Sequence, residues 1–117
     1  MNRFLSVIVA LLVLAPISAW AIVWSGGYFA VTSVQRNDTD IYTGTDLEGA
    51  TVIGYNKTCD ANQGTSWFIS KDRANQDQME RLVVTAMLSG RGVSFGYSKS
   101  ASTEGCSIYA VVLGDPP

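Results

Sequence analysis

The chain is 117 residues long, the size of a single domain, and carries eight Lys or Arg against ten Asp or Glu, for a formal net charge of −2. So few basic residues exclude the positively charged surface that nucleic-acid-binding proteins require, and the absence of histidine excludes histidine-based catalysis and metal binding. Two cysteines cannot form a four-thiolate zinc or iron–sulfur site, and we expect neither a metal nor another cofactor.

The N-terminus has the features of a secretory signal peptide, which we assign to residues 1–21. A basic residue among the first three is followed by an apolar run from Phe4 to Ala15 and by the helix breaker Pro16. Ala19-Trp20-Ala21 then places small residues at the two positions that a signal peptidase reads. Cleavage there predicts a secreted or periplasmic mature chain that does not span the membrane. The alternative is an uncleaved anchor, because the apolar run extended to Trp24 is long enough to cross a bilayer.

Export would place the two cysteines in an oxidising compartment, where a disulfide is the usual state of such a pair. Cys59 and Cys106 are the only cysteines, so we predict a single bond between them. The bond would join a polar loop in the middle of the domain to its last strand. Two free thiols are the alternative.

The first half of the mature chain has the composition of short β-strands separated by turns. Tyr28–Gln35 is rich in β-branched and aromatic residues and is followed by the turn-forming run Asn37–Asp40. Ile41–Thr43 and Thr51–Tyr55 are two further apolar runs, either two strands or one bent strand. Ser66–Ser70 is a short strand, in which we assign Trp67 to the core.

The period of the apolar residues then changes to that of an amphipathic helix. Residues 74–89 contain neither glycine nor proline. Five apolar residues fall on one helical stripe: Met79, Leu82, Val83, Ala86 and Met87. Asp72 is the predicted N-cap, and Gly90 and Gly92 end the helix. We expect Leu82, Val83 and Ala86 to be buried against a sheet.

Two strands complete the chain after the helix. Val93, Phe95 and Tyr97 alternate with small residues, and the segment from Cys106 to Leu113 is almost wholly apolar. Several strands, one helix and two final strands are the order of an α+β, mainly β fold, and specifically of a small five-stranded oligonucleotide/oligosaccharide-binding (OB) barrel. We therefore predict one OB-like domain over residues 22–117. An open antiparallel sheet capped by one helix is the alternative.

Several short segments of the mature chain follow one another in an order known from a protein family. They are Trp24-Ser25-Gly26, Cys59, Trp67-Phe68-Ile69, Thr85-Ala86-Met87-Leu88-Ser89-Gly90, Val93-Ser94-Phe95, Cys106 and Ile108-Tyr109-Ala110-Val111. This order resembles that of small secreted bacterial proteins with the B-subunit fold of pertussis- and subtilase-type toxins. The resemblance implies an OB-like fold and a place in an assembly of five B chains that carries an enzymatic partner chain. It transfers no sugar-binding residue position by position.

The acidic residues give no sign of catalysis. Glu48 and Glu104 lie in predicted turns, and Glu80 is expected to face solvent on the helix, so no two carboxylates have an informative spacing. The sequence contains no Gly-x-Ser-x-Gly nucleophile motif. The two carboxylates of the Asn37–Asp40 run could bind calcium, but they lack an EF-hand spacing, and a plain turn is the better interpretation. We therefore expect a protein that is not an enzyme.

Glycan binding is the more specific hypothesis. Sugars require aromatic faces beside hydroxyl and amide groups, and the early strands supply these at Tyr42, Thr43, Tyr55 and Lys57. An acidic sugar would favour Lys57, because a hydrogen bond between two charged groups is stronger than one between neutral groups. The alternative is that the tyrosines only cover the barrel. The preferred function is thus a secreted glycan-binding module like a toxin B subunit, and the second is a periplasmic structural or protein-interaction domain.

The first predicted strand suggests that the chain forms a homo-oligomer. Tyr28–Gln35 contains neither charge nor proline, which would leave it poorly protected at the edge of a sheet. Identical chains that pair such edges would also repeat one weak ligand site, which raises its avidity.

Overall fold

The computed structural model describes residues 12–14, 23–60, 64–98 and 104–117. It contains seven strands and one helix in these ranges: β1 Leu12–Leu14, β2 Val23–Trp24, β3 Phe29–Arg36, β4 Thr51–Tyr55, β5 Ser66–Ile69, α1 Gln76–Ser89, β6 Gly92–Ser98 and β7 Gly105–Leu113. Apart from Leu12–Leu14, the predicted signal peptide lies outside the described residues.

Five of the strands form a closed barrel. The order β5-β4-β3-β6-β7 is antiparallel throughout, and a parallel pairing of β7 with β5 closes the ring. Two short strands lie outside it, with β1 paired to β7 and β2 paired to β6. Closure confirms the predicted OB-like barrel, with the helix before the last two strands, and it excludes the open sheet.

The region between β3 and β4 differs from its prediction. Residues 41–43 lie in a series of turns, so Thr51–Tyr55 alone forms the second barrel strand. β3 lies between β6 and β4 in the sheet, with β6 beside Phe29 and Ala30 and β4 beside Val31–Arg36.

Helix α1 packs against the barrel through the predicted stripe of apolar residues. Met79, Val83 and Ala86 are fully buried, whereas Leu82 is only partly buried at the border of the core. The helix begins after Asn75, and the prediction of Asp72 as N-cap is wrong by three positions. Gly90 ends the helix as predicted, with a left-handed backbone at φ 70° that glycine adopts without strain.

The aromatic residues of β4, β5 and β6 form the centre of the core. Trp67 lies with its ring centroid 5.1 Å from that of Tyr55 and 4.8 Å from that of Tyr97. Phe95 contacts both Tyr55 and Trp67 and is completely buried. Trp67 therefore belongs to the core, as the sequence predicts.

The predicted disulfide joins Cys59 to Cys106, with the two Cα atoms 5.9 Å apart. It ties the segment after β4 to the beginning of β7, and both cysteines are buried. A disulfide is compatible with a secreted or periplasmic protein. Among the residues that the structure describes, no helix has the length and apolar character needed to cross a bilayer.

Candidate functional site

A surface cleft of about 450 Å³ lies where β4 and β5 meet the segment that follows β4. Its lining includes five uncharged polar residues and one lysine: Ser33, Asn56, Thr58, Thr65, Ser66 and Lys57. The apolar part of the lining consists of Val52, Ile53, Tyr55, Cys59 and Trp67. The cleft thus combines residues that carry hydroxyl, amide and ammonium groups with both aliphatic and aromatic residues.

The segment after β4 is held in place by three bonds. The N–H of Asn56 donates to the carbonyl of Ala30 at 2.9 Å. The indole N–H of Trp67 donates to the carbonyl of Lys57 at 2.8 Å, and Cys59 is fixed by the disulfide. Side chains on this segment are therefore presented by a restrained backbone, which lowers the entropy cost of binding a ligand.

Tyr55 belongs to the lining of the cleft, and its hydroxyl forms hydrogen bonds inside the protein. The hydroxyl donates to the carbonyl of Val93 and lies 3.1 Å from the Oγ of Ser25. Burial raises the pKa of Tyr55 to about 12, even though hydrogen bonding to Ser25 and at Phe29 opposes the shift. The Tyr55 hydroxyl therefore already has partners inside the protein.

Lys57 is the cation of the cleft. Its ammonium lies 5.2 Å from the centroid of the Phe29 ring, a cation–π distance, and the side chain is partly exposed. Within the described part of the chain, Lys57 forms no salt bridge. It differs in this from Lys71, whose ammonium binds the carboxylate of Glu48 at 2.9 Å.

The structure brings together two of the four predicted ligand residues. Tyr55 and Lys57 line the cleft, whereas Tyr42 and Thr43 lie in the turns between β3 and β4 and contribute nothing to its lining. Tyr42 is exposed, and the Thr43 hydroxyl donates to the carbonyl of Thr39 at 2.8 Å.

Sequence reasoning missed the hydroxyl side chains on the opposite wall, of which Thr65 and Ser66 are examples. The antiparallel register pairs Ile53 with Trp67, so the two strands continue toward Tyr55 and Thr65. If an antiparallel β4–β5 hairpin had been assumed from the sequence, Thr65 and Ser66 would have been placed across from Tyr55 and Lys57.

Two of the three carboxylates considered as catalytic candidates, those of Glu48 and Glu80, have structural partners. Glu80 accepts hydrogen bonds from Arg36 at 3.0 Å and from the Thr51 hydroxyl at 2.7 Å, so the expectation that it simply faces solvent is wrong. Burial would raise the pKa of Glu80, but these hydrogen bonds outweigh it and hold the pKa below its ordinary value. Glu80 thereby joins α1 to β3 and β4.

The acidic run after β3 also forms local structure. The Asp38 carboxylate accepts the backbone N–H of Asp40 at 2.8 Å, which is the turn arrangement expected of Asn and Asp residues. In the described ranges, no three acidic or cysteine side chains cluster as a metal site would require.

No known protein family, curated protein or solved structure matches this chain. The geometry of the cleft is therefore the basis for assigning a function.

Proposed function

We propose that this chain is a secreted, non-enzymatic binding module, resembling a bacterial toxin B subunit, that binds a cell-surface glycan in the cleft between β4 and β5. The observation that supports this most directly is the position of Lys57. Its ammonium lacks a carboxylate partner among the described residues and lies at a cleft lined by neutral hydroxyl and amide groups.

The cleft suits a sugar better than an apolar ligand. Its polar lining residues can exchange hydrogen bonds with several ring hydroxyls, and Asn56, Thr58 and Thr65 are exposed to solvent. A sugar that carries a carboxylate would gain an additional charge-assisted bond to Lys57. An acidic glycan is therefore the preferred ligand.

The proposal extends to how such a site would be used. A shallow sugar site is weak alone, and linking several copies raises avidity by a factor on the order of 10²–10⁴. A homo-oligomer of the mature chain, exported after loss of its signal peptide, would supply this repetition. In a protein like a toxin B subunit, the oligomer would deliver an enzymatic partner chain to the cell surface.

The test compares two lysine variants on an array of neutral and acidic glycans. Lys57→Gln removes the cation of the cleft, and we expect at least a tenfold loss of binding to acidic glycans. Lys71→Gln is the matched control, because Lys71 is exposed and lies outside the cleft lining. Equal binding by the parent and by Lys57→Gln would refute the site, and absence of binding to every glycan would refute the function.

A second candidate function is a periplasmic protein-interaction domain. It is favoured by three exposed apolar side chains near the mature N-terminus, Val23, Trp24 and Tyr28, which are between 42% and 46% exposed. This second function would be supported if the parent protein binds a partner protein but no glycan, and if Trp24→Ser abolishes the binding of that partner.

A further inference from the structure

The C-terminal half of β7 has a strand on each side. Ala110–Val112 pairs with β6 on one edge, where Val111 lies opposite Phe95. On the other edge it pairs antiparallel with Leu12–Leu14, with Val13 opposite Val111. β5 occupies that same edge only farther toward the N-terminus of β7, at residues 105–107.

The hydrogen bonds of Phe95 show which way the main chain of Val111 points. The Phe95 N–H donates to Ser25 Oγ at 3.0 Å, and its carbonyl accepts the Ser25 N–H at 2.8 Å, so both groups point away from β7. In an antiparallel ladder, the residue opposite such a residue also directs its N–H and C=O away from the shared edge. The N–H and C=O of Val111 therefore point to the edge that Val13 occupies.

Cleavage of the signal peptide would remove the strand from this edge. The inference rests on the export that the proposed function includes, because residues 12–14 lie inside the segment assigned for cleavage. β7 carries no charged residue and no proline, which are the usual protections of an edge strand. A main-chain donor and acceptor left without partners beside apolar side chains are a template for another strand.

A second free edge lies at the opposite end of the sheet. β2 pairs with β6 on one side, and no described strand pairs with its other side. Its two residues, Val23 and Trp24, are 42% and 44% exposed. Both are apolar, like the Leu-Val-Leu strand that occupies β7.

We infer that β7 of the mature protein accepts a strand from a second copy of this chain, in the position that Leu12–Leu14 holds before cleavage. The strand that we expect in this position is β2 of the neighbouring copy, because β7 and β2 are the unprotected edges at the two ends of the sheet. Joining β7 to β2 covers both unprotected edges in one contact and continues the sheet from copy to copy. A contact between different surfaces generates a ring when its rotation closes.

The experiment uses the full chain expressed with export. Intact mass identifies the N-terminus of the purified protein, and sedimentation then gives the mass of the assembly. We expect a chain that begins at Ile22 and an assembly of several copies. Val111→Pro removes the N–H that points to the free edge without removing a bond to β6, and we expect it to sediment as one chain. Val111→Ala is the matched control, since it shortens the side chain, keeps the N–H and should keep the assembly.

A second pair of variants tests the neighbouring edge and does not depend on the folding of the proline variant. Trp24→Lys places a charge on the exposed strand β2, and we expect it to reduce the assembly to single chains. Ile41→Lys introduces the same charge at a residue that is 73% exposed in the β3–β4 turns, and it should assemble like the parent.

Three outcomes would overturn the inference. One is a parent protein that keeps residues 12–14. Another is a mature protein that sediments as a single chain. The third is an assembly that survives both Val111→Pro and Trp24→Lys. Glycan binding is measured separately, so a single-chain protein that binds acidic glycans would refute the interface and leave the proposed function standing. An oligomer that binds no glycan would refute the proposed function and leave the interface standing.

Discussion

The hydroxyl of Tyr55 lies where strand β4 meets the N-terminal segment and β6. The hydroxyl donates to the carbonyl of Val93, and the ring of Tyr55 contacts Phe29, Trp67 and Phe95. One side chain thus joins three parts of the barrel, and the same residue belongs to the lining of the candidate site. Stability and binding are linked at this residue.

We predict that Tyr55 makes the protein sensitive to alkali. Its folded pKa of about 12 lies above the ordinary value of 10.0, so the folded state keeps its proton longer than the unfolded state. The stabilisation is fully present below pH 10 and is lost as the pH rises toward 12. Tyr55→Phe should lose about 1 kcal/mol at pH 7, from the missing hydrogen bonds, and should show a smaller further loss in alkali.

Urea unfolding at pH 7 and at several alkaline pH values measures this difference. Tyr28→Phe is the control, because Tyr28 is 46% exposed, and its alkaline curve should match that of the parent. Parallel alkaline curves for Tyr55→Phe and the parent would contradict the assigned role of the hydroxyl.

At the scale of elements, α1 is attached to the barrel in two different ways. Its apolar stripe packs into the core through Met79, Val83 and Ala86. Its first turns are joined to β3 by Arg36, which binds Asp77 at 2.9 Å and Glu80 at 3.0 Å. The Asp77 side chain is 76% exposed, so this part of the attachment contributes little, and packing dominates.

We predict that two neighbouring substitutions on α1 differ strongly in effect. Val83→Asp places a carboxylate at a position with 0% exposure, which should cost several kcal/mol and unfold a domain of this size. Leu82→Asp should cost less, because Leu82 is partly exposed and can turn the carboxylate toward water. Circular dichroism during heating separates the two, and equal melting of both variants would show that the helix register is wrong.

At the scale of the whole molecule, the disulfide connects two parts of the barrel that are distant in sequence. It joins residues separated by 47 positions, next to the parallel β5–β7 pairing that closes the ring. Barrel closure here requires contacts across a large part of the chain. A covalent link at the point of closure restricts the unfolded chain and favours the closed form.

We predict that this bond supplies a large share of the stability. Freshly isolated protein should be two hydrogens lighter than its reduced form in a non-reducing mass measurement. Replacing both Cys59 and Cys106 by serine should cost roughly 4 kcal/mol on the chain-entropy estimate for a loop of this size. Urea unfolding of the double variant measures the loss. Two alkylatable thiols in the parent protein would contradict the prediction and weaken the case for export.

Local patterns in the sequence were sufficient for several features of this protein. The stripe of Val83 and Ala86 and the glycine at position 90 predict the helix and its end, because both depend on neighbours within a few residues. The disulfide followed from the presence of only two cysteines. The OB-like order of strands and helix followed from the change in apolar period along the chain.

Only the tertiary structure decided which residues meet. Barrel closure gives β3 two neighbours, and the β4–β5 pairing brings Lys57 to the cleft while Tyr42 stays in a loop. The internal bonds of the Tyr55 hydroxyl and the link from Glu80 to β3 also depend on residues far away in the chain. Sequence periodicity reports which face of one element is apolar. It contains no information about the register between two elements, and register determines which side chains share a site.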